Sequence, residues 1–185
     1  ESHPYPPPVD DLAAYRLTWD DRRRRVNSHH FWPGEQYRAD RSILVAGCGT
    51  MQAAHYAVRW PGARVVGIDV SEHSIAFERD LKQKHSLENL ELHRIEIERA
   101  GELGEVFDHV VCTGVLHHLP DPAAGLQALR GVLAPSGAMH VMMYAPFGRA
   151  GIYLLQEYCR RLGMGWTSEE LDELAGRVPE ADSAA

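Results

Sequence analysis

Five short runs of β-branched or apolar residues, at 43–46, 65–68, 90–95, 110–112 and 138–144, stand out along the middle of the chain. Each is bounded by segments with helical chemistry, and this alternation predicts a parallel sheet with crossover helices, an α/β domain. Asp121 followed by Pro122 reads as an N-cap with proline at the first helical position. Leu126, Leu129 and Leu133 then fall on one face, and Pro135 and Gly137 are expected to end that helix. Ser71 is placed to cap the helix after the second run, with Glu72 set against its N-terminal dipole. Residues 1–40, rich in Pro, Arg and aromatics with one short helical stretch around 11–15, read as an arm. Residues 41–145 read as the α/β core and 146–185 as a helical segment. In that last segment Ile152, Leu155, Cys159 and Leu162 mark an amphipathic helix stopped near Gly163. Thr167 and Glu170 form a capping box, with Trp166 and Leu171 as a hydrophobic staple, and the end beyond Pro179 is expected to fray.

Composition narrows the class. With 185 residues, 44% apolar and 24% charged, the chain suits one domain with a buried core. A formal charge of -7 argues against a large nucleic-acid or anionic-membrane footprint. No apolar run reaches the roughly 18 to 20 residues that span a bilayer. Cys48, Cys112 and Cys159 form no C-x-x-C pair, which favours reduced thiols, a cytoplasmic setting and no structural metal. The chain opens on Glu1 rather than Met, so a processed or shortened piece of a longer protein is expected.

The chemistry concentrates after the first run. Ile43 to Thr50 leads a buried strand into Gly47 and Gly49 and then a helix near Met51, a turn whose main chain can approach a ligand and whose helix offers N–H groups. The plain alternative is a tight strand-to-helix turn. The second run ends in Asp69, about 20 residues on, where a carboxylate can accept both hydroxyls of a ribose; the alternative for Asp69 is a helix cap shared with Ser71. Gln52 stands where a dinucleotide fingerprint has its third glycine, which disfavours NAD or FAD, and no G-K-[ST] follows to make a P-loop.

These segments together resemble the class I S-adenosylmethionine-dependent methyltransferases over roughly residues 41–145: VAGCGTM is similar to the first motif, VVGIDVS to the second, LHRIEIE to the third, FDHVVCTGVLHHLPDP to the fourth and LAPSGAMHVMMY to the fifth. The resemblance implies a doubly wound, mostly parallel Rossmann-like sheet of at least five strands with flanking helices. Such members usually add a C-terminal strand pair, which is not visible here, so the fifth strand's edge is open to the final helices or to a second copy. It further implies S-adenosylmethionine as cofactor and S-adenosylhomocysteine as product. Ala46, Gly47, Cys48 and Gly49 lie in the loop around the methionyl part, Asp69 on the ribose, and Val70 beside the adenine. Glu96 is near the adenine amino group with Ile97 beside the ring, Glu98 competes with Glu96, and Thr113 and Gly114 border methionyl group and substrate. Two departures stand out: Met51 occupies the family's third glycine position, and Ala46 its leading acidic residue.

The expected reaction is methyl transfer to a small-molecule acceptor at O, N or C, with His117 and then His118 as general base, because an ordinary imidazole titrates near pH 6.5. The alternative for either histidine is packing at a helix start. Tyr15, His29, His30, Phe31, Trp32 and Tyr37 are candidates to fold over the cofactor or to pack on the core, while Arg22 to Arg25 read as a solvated face. Two other readings stay open: a non-catalytic cofactor-binding or interaction module, and, more weakly, an NAD(P)-dependent oxidoreductase.

Overall fold

The computed structural model describes residues 11–145, 147–161 and 163. They fall into two compact units, one ending at Met143 and the other beginning at Tyr144. In the first, strands β1 (Ser42–Ala46), β2 (Arg64–Asp69), β3 (Leu90–Arg94), β4 (Phe107–Thr113) and β5 (Leu133–Met142) form one sheet in the order β3-β2-β1-β4-β5. All four pairings are parallel, with Val45 opposite Gly67 on one side and Val111 on the other. Parallel strands buried on both faces need continuous apolar runs, which is why β1, β2 and β4 read so clearly.

Helices cover both faces. α3 (Gln52–Arg59) and α4 (Glu72–His85) enclose one core with Ile43, Val45, Val65 and Val111, using Ala53, Tyr56, Ile75 and Leu81. On the other face α5 (Pro122–Gly131) contributes Leu129 to a core with Leu44, Ala46, Val66, Ile68 and Phe107. The caps follow the sequence: the Ser71 hydroxyl accepts from the Ser74 N–H, and Asp121 accepts from Ala123 and Ala124. The doubly wound parallel sheet of five strands is the expected architecture.

Several boundaries differ from expectation. α5 ends at Gly131, and Leu133, Pro135 and Gly137 belong to β5. The β4–β5 register jumps between Phe107 opposite Leu133 and His109 opposite Ala138. The Pro and Gly therefore punctuate a bulge rather than a helix end, as suits proline on a sheet's outer strand. Leu126, expected on the buried face, is exposed.

The arm holds more helix than its sequence suggests. α1 (Ala13–Leu17) is followed by α2 (Asp21–Phe31), whose N-cap Asp20 accepts from the Arg23 N–H. Arg22, Arg23 and Arg25 are exposed, whereas Arg24 donates to the carbonyls of Arg59 and Trp19. Tyr15 stacks on His55 of α3 with ring centroids 4.1 Å apart. Phe31 and Trp32 pack against His109, and the Trp32 indole donates to the Ser136 carbonyl.

In the second unit α6 (Ala150–Arg161) is followed by Gly163 at φ +69°, whose N–H donates to Arg160, the stop expected there. Leu162, Trp166, Thr167, Glu170, Leu171 and Pro179 lie outside the described residues.

Candidate functional site

The strand order reverses direction between β1 and β4, since β2 and β3 lie to one side and β4 and β5 to the other. In such sheets a crevice opens beyond the carboxyl ends of the strands at that switch point. The chain places there the turn after β1, Asp69 at the end of β2, and Thr113 and Gly114 at the end of β4.

Gly47 and Gly49 both adopt left-handed backbone, at φ +69° and +59°, for different reasons. A Cβ on Gly47 would lie 2.5 Å from Cγ2 and 2.7 Å from Cγ1 of Val115, so glycine lets the β1 turn meet the segment after β4. A Cβ on Gly49 would meet no atom within 4 Å, so its outer side is open. The side chains of Ala46 and Cys48 are buried in the two cores, which leaves main chain as what these two residues can present. Burial, with Glu78 and Asp69 adding in the same direction, pushes the Cys48 thiol well above its ordinary value, away from nucleophilic chemistry. Met51 has φ −157°, outside the left-handed region that favours glycine, so this position does not call for the family's third glycine.

The turn's amides are largely committed within the protein. Gly47 and Cys48 donate to the Ile68 carbonyl at 2.8 and 3.0 Å. The Gly49 N–H donates to Oδ2 of Asp69 at 2.9 Å, and Ser71 donates to Oδ1 at 2.9 Å. Each Asp69 oxygen retains a second lone pair, and the carboxylate is locked in orientation. Asp69 thus ties the turn after β1 to Ser71, while the cap of α4 itself is made by the Ser71 hydroxyl.

The expected N–H donors of α3 are also taken. Ala53 and Ala54 donate to Oε1 and Oε2 of Glu78 at 2.8 and 2.9 Å, from a side chain on α4 with no exposed surface. Burial, only partly offset by these two N–H bonds and reinforced by Asp69, leaves the Glu78 carboxyl raised to about 8. At the first residue of α3, Gln52 donates through Nε2 to the Thr113 hydroxyl, linking the turn to β4. Sequence reasoning missed Glu78 and the role of Gln52. For Glu78 the one available signal is its place between Ile75 and Leu81, at a position on the buried stripe of α4.

The remaining candidates spread around the same edge. Val70 is 57% exposed beyond β2. Glu96 and Glu98 are exposed, whereas Ile97 is buried with Leu44 and Phe107 in the core. Gly114, at φ +76°, donates its N–H to Met142 at the end of β5. The short 3-10 turn Leu116–His118 follows directly, with His117 half-buried, His118 exposed and their ring centroids 4.1 Å apart. The described aromatics of the arm gather elsewhere. Phe31 and Trp32 sit against His109 near the start of β4 and Ser136 near the start of β5, at the opposite end of the strands from the glycine turn.

Comparison with known proteins agrees with this fold. A family model described as a methyltransferase domain matches residues 44–139, and the chain belongs to that family. An uncharacterised Synechococcus protein, syc1184_c, is 34% identical over 161 residues, covering 85% of this chain and 38% of its own length. A ubiquinone biosynthesis O-methyltransferase of Acinetobacter baumannii is 30% identical over 131 residues, covering 70% and 50%. The chain therefore spans half or less of the length of these curated relatives. Among solved structures, PKMT2 from Rickettsia typhi in complex with AdoHcy is similar in fold, with a TM-score of 0.56, 23% identity and coverage of 75% and 26%. Coclaurine N-methyltransferase bound to N-methylheliamine and SAH gives 0.52, 18%, 65% and 36%.

All three cysteines are free and buried. No helix among the described residues is long and apolar enough to cross a membrane.

Proposed function

We propose that this chain carries the cofactor-binding core of an S-adenosylmethionine-dependent methyltransferase acting on a small-molecule acceptor at O, N or C. The observation that carries the reading is the open side of Gly49, at φ +59° with nothing within 4 Å of its Cβ position, directly beside the Asp69 carboxylate. That cradle suits a nucleoside: bare main chain lets it approach, and Asp69 has lone pairs left for two sugar hydroxyls. Val70 offers an exposed apolar side chain next to Asp69 for the adenine face, and Glu96 a carboxylate for its amino group. Thr113 and Gly114 border the methionyl end.

A dinucleotide fits less well. Its pyrophosphate would need the α3 N-terminus, whose Ala53 and Ala54 amides are already taken by the buried Glu78 side chain. A sulfonium carries a positive charge and its methyl group is an activated one, so the chain's task is chiefly to hold an acceptor in line with it. His117, half-buried just after β4, is the side chain we assign to accept the acceptor's proton, with His118 as the second candidate. The O-methyltransferase relatives put oxygen acceptors first in order of trial.

The test is transfer of label from methyl-labelled S-adenosylmethionine to panels of phenols and quinols, amines and carbon acids. Labelled product with at least one panel is expected, falling at least tenfold in His117→Ala near neutral pH. S-adenosylhomocysteine binding with no transfer to any panel would instead support the non-catalytic reading.

A further inference from the structure

Glu78 is a buried carboxylate that the transfer chemistry does not use, and its contacts are specific. Its oxygens accept from Ala53 and Ala54, the second and third residues of α3, whose own N-cap residue, Met51, makes no side-chain cap. Helix N-termini leave about four amides without intrahelical partners. Here two of them are satisfied across the α3–α4 contact rather than from within the chain segment. The neighbouring packing leaves little freedom for α3 to rotate: a Cβ on Gly67 of β2 would lie 2.7 Å from the Ala53 Cβ and 3.4 Å from the Cys48 Sγ. One residue before Ala53, Gln52 reaches Thr113, and Gln52 itself donates its backbone N–H to the Cys48 carbonyl inside the glycine turn.

We infer that Glu78 is the positioning residue of the cofactor turn: from α4 it caps α3 and fixes the rotation of its first turn. Gln52 is thereby held on Thr113, and the Gly47–Gly49 main chain keeps the shape that admits an adenosyl group. This deepens the methyltransferase reading and rests on it for the identity of the ligand, though the capping itself does not. Acceptor atoms in the right place matter as well as shape. Glutamine can accept one amide through its carbonyl oxygen but turns an NH2 donor toward the other, so Glu78→Gln keeps the volume and loses one of the two bonds. Alanine loses both and leaves two buried amides without acceptors.

The experiment combines amide hydrogen exchange at Ala53 and Ala54 with calorimetric titration of S-adenosylhomocysteine. It is run on the wild type, Glu78→Gln, Glu78→Ala and Leu81→Ala, the last removing apolar packing from the same buried stripe. Expected are a tenfold or greater loss of protection at one amide in Glu78→Gln and at both in Glu78→Ala, with S-adenosylhomocysteine affinity falling at least tenfold in Glu78→Ala and less in Glu78→Gln. Leu81→Ala should lose stability while keeping its affinity within about twofold. Wild-type protection at both amides in Glu78→Gln overturns the capping, and an affinity loss in Leu81→Ala equal to that in Glu78→Gln overturns the positioning role. If Glu78→Ala does not fold, Glu78→Gln decides both points. A wild type that shows the protected amides but binds no S-adenosylhomocysteine contradicts the proposed cofactor while leaving the cap intact.

Discussion

Gly47 and Gly49 share left-handed backbone and differ in what surrounds them, so the same substitution should have different consequences at the two. At Gly47, alanine bears the left-handed penalty of about 1–2 kcal/mol. It also places a methyl group 2.5 Å from Cγ2 and 2.7 Å from Cγ1 of Val115, overpacking that costs about 1–3 kcal/mol more. A total loss of about 2–5 kcal/mol is expected. At Gly49, alanine meets no atom within 4 Å and costs only the backbone penalty, partly offset through the unfolded chain, for about 1 kcal/mol. Its methyl group, however, enters the space assigned to the nucleoside, so S-adenosylhomocysteine affinity should fall at least tenfold with stability nearly unchanged. Urea unfolding gives the stabilities and calorimetry the affinities. Val115→Ala supplies the internal control, because it removes both Cγ atoms; the Gly47→Ala, Val115→Ala double variant should be at least about 1 kcal/mol more stable than the sum of the singles predicts. Additive losses would refute the Gly47–Val115 contact. Equal destabilisation by the two glycine variants, with no change in affinity for Gly49→Ala, would refute the assignment of open space at Gly49 to the ligand.

Two further predictions concern stability. Burial drives the His109 imidazole down to about 3 from 6.5, with His140, Arg59 and Arg41 adding in the same direction. A depressed folded-state value means stability present above pH 6.5 and lost as pH falls toward 3, because the unfolded chain takes up a proton that the folded one refuses. At 1.36 kcal/mol per pH unit the loss attributable to His109 is at most about 5 kcal/mol. Wild-type and His109→Phe stabilities should therefore converge or cross on acidification, and a constant difference between pH 7 and 4 would count against a neutral buried imidazole. At α5, Asp121→Ala removes an acceptor for the amides of Ala123 and Ala124 and should cost about 1 kcal/mol in chemical denaturation, with Asp121→Asn close to wild type.

The parts of the fold that were legible are those in which burial and backbone chemistry leave a local trace. β1, β2 and β4 are apolar on both faces because helices cover both, and the caps at Ser71 and Asp121 announce themselves by side chains that hydrogen-bond nearby amides. α2 escaped notice because most of its side chains face water: its run of charged and polar residues has no apolar period, and its start is marked only by Asp20. The beginning of β5 was read as helix because Leu133 continued the spacing of Leu126 and Leu129. What distinguishes them is pairing with Phe107, a long-range contact invisible to periodicity.

The site was legible to a similar depth. Gly47, Gly49, Asp69, Thr113 and Gly114 lie in motifs that end strands, and the sheet brings those ends together. Met51 departs from the family's third glycine, but spacing cannot reveal a backbone angle, and its φ of −157° lies outside the left-handed region that favours glycine. Glu78 belongs to a helix 25 residues from the amide it caps. Only the packing of α4 on α3 gives its carboxylate a purpose, so a charged residue on an apolar stripe is the most that the sequence could offer.

The most direct measurement is the calorimetric titration of the purified chain with S-adenosylhomocysteine, with Asp69→Ala run alongside. Saturable one-to-one binding by the wild type, weakened at least tenfold in the variant, is the predicted result. The absence of binding by a folded wild type, or equal affinity in both proteins, would contradict the claim that the crevice at the β1–β4 switch point holds a nucleoside through that carboxylate.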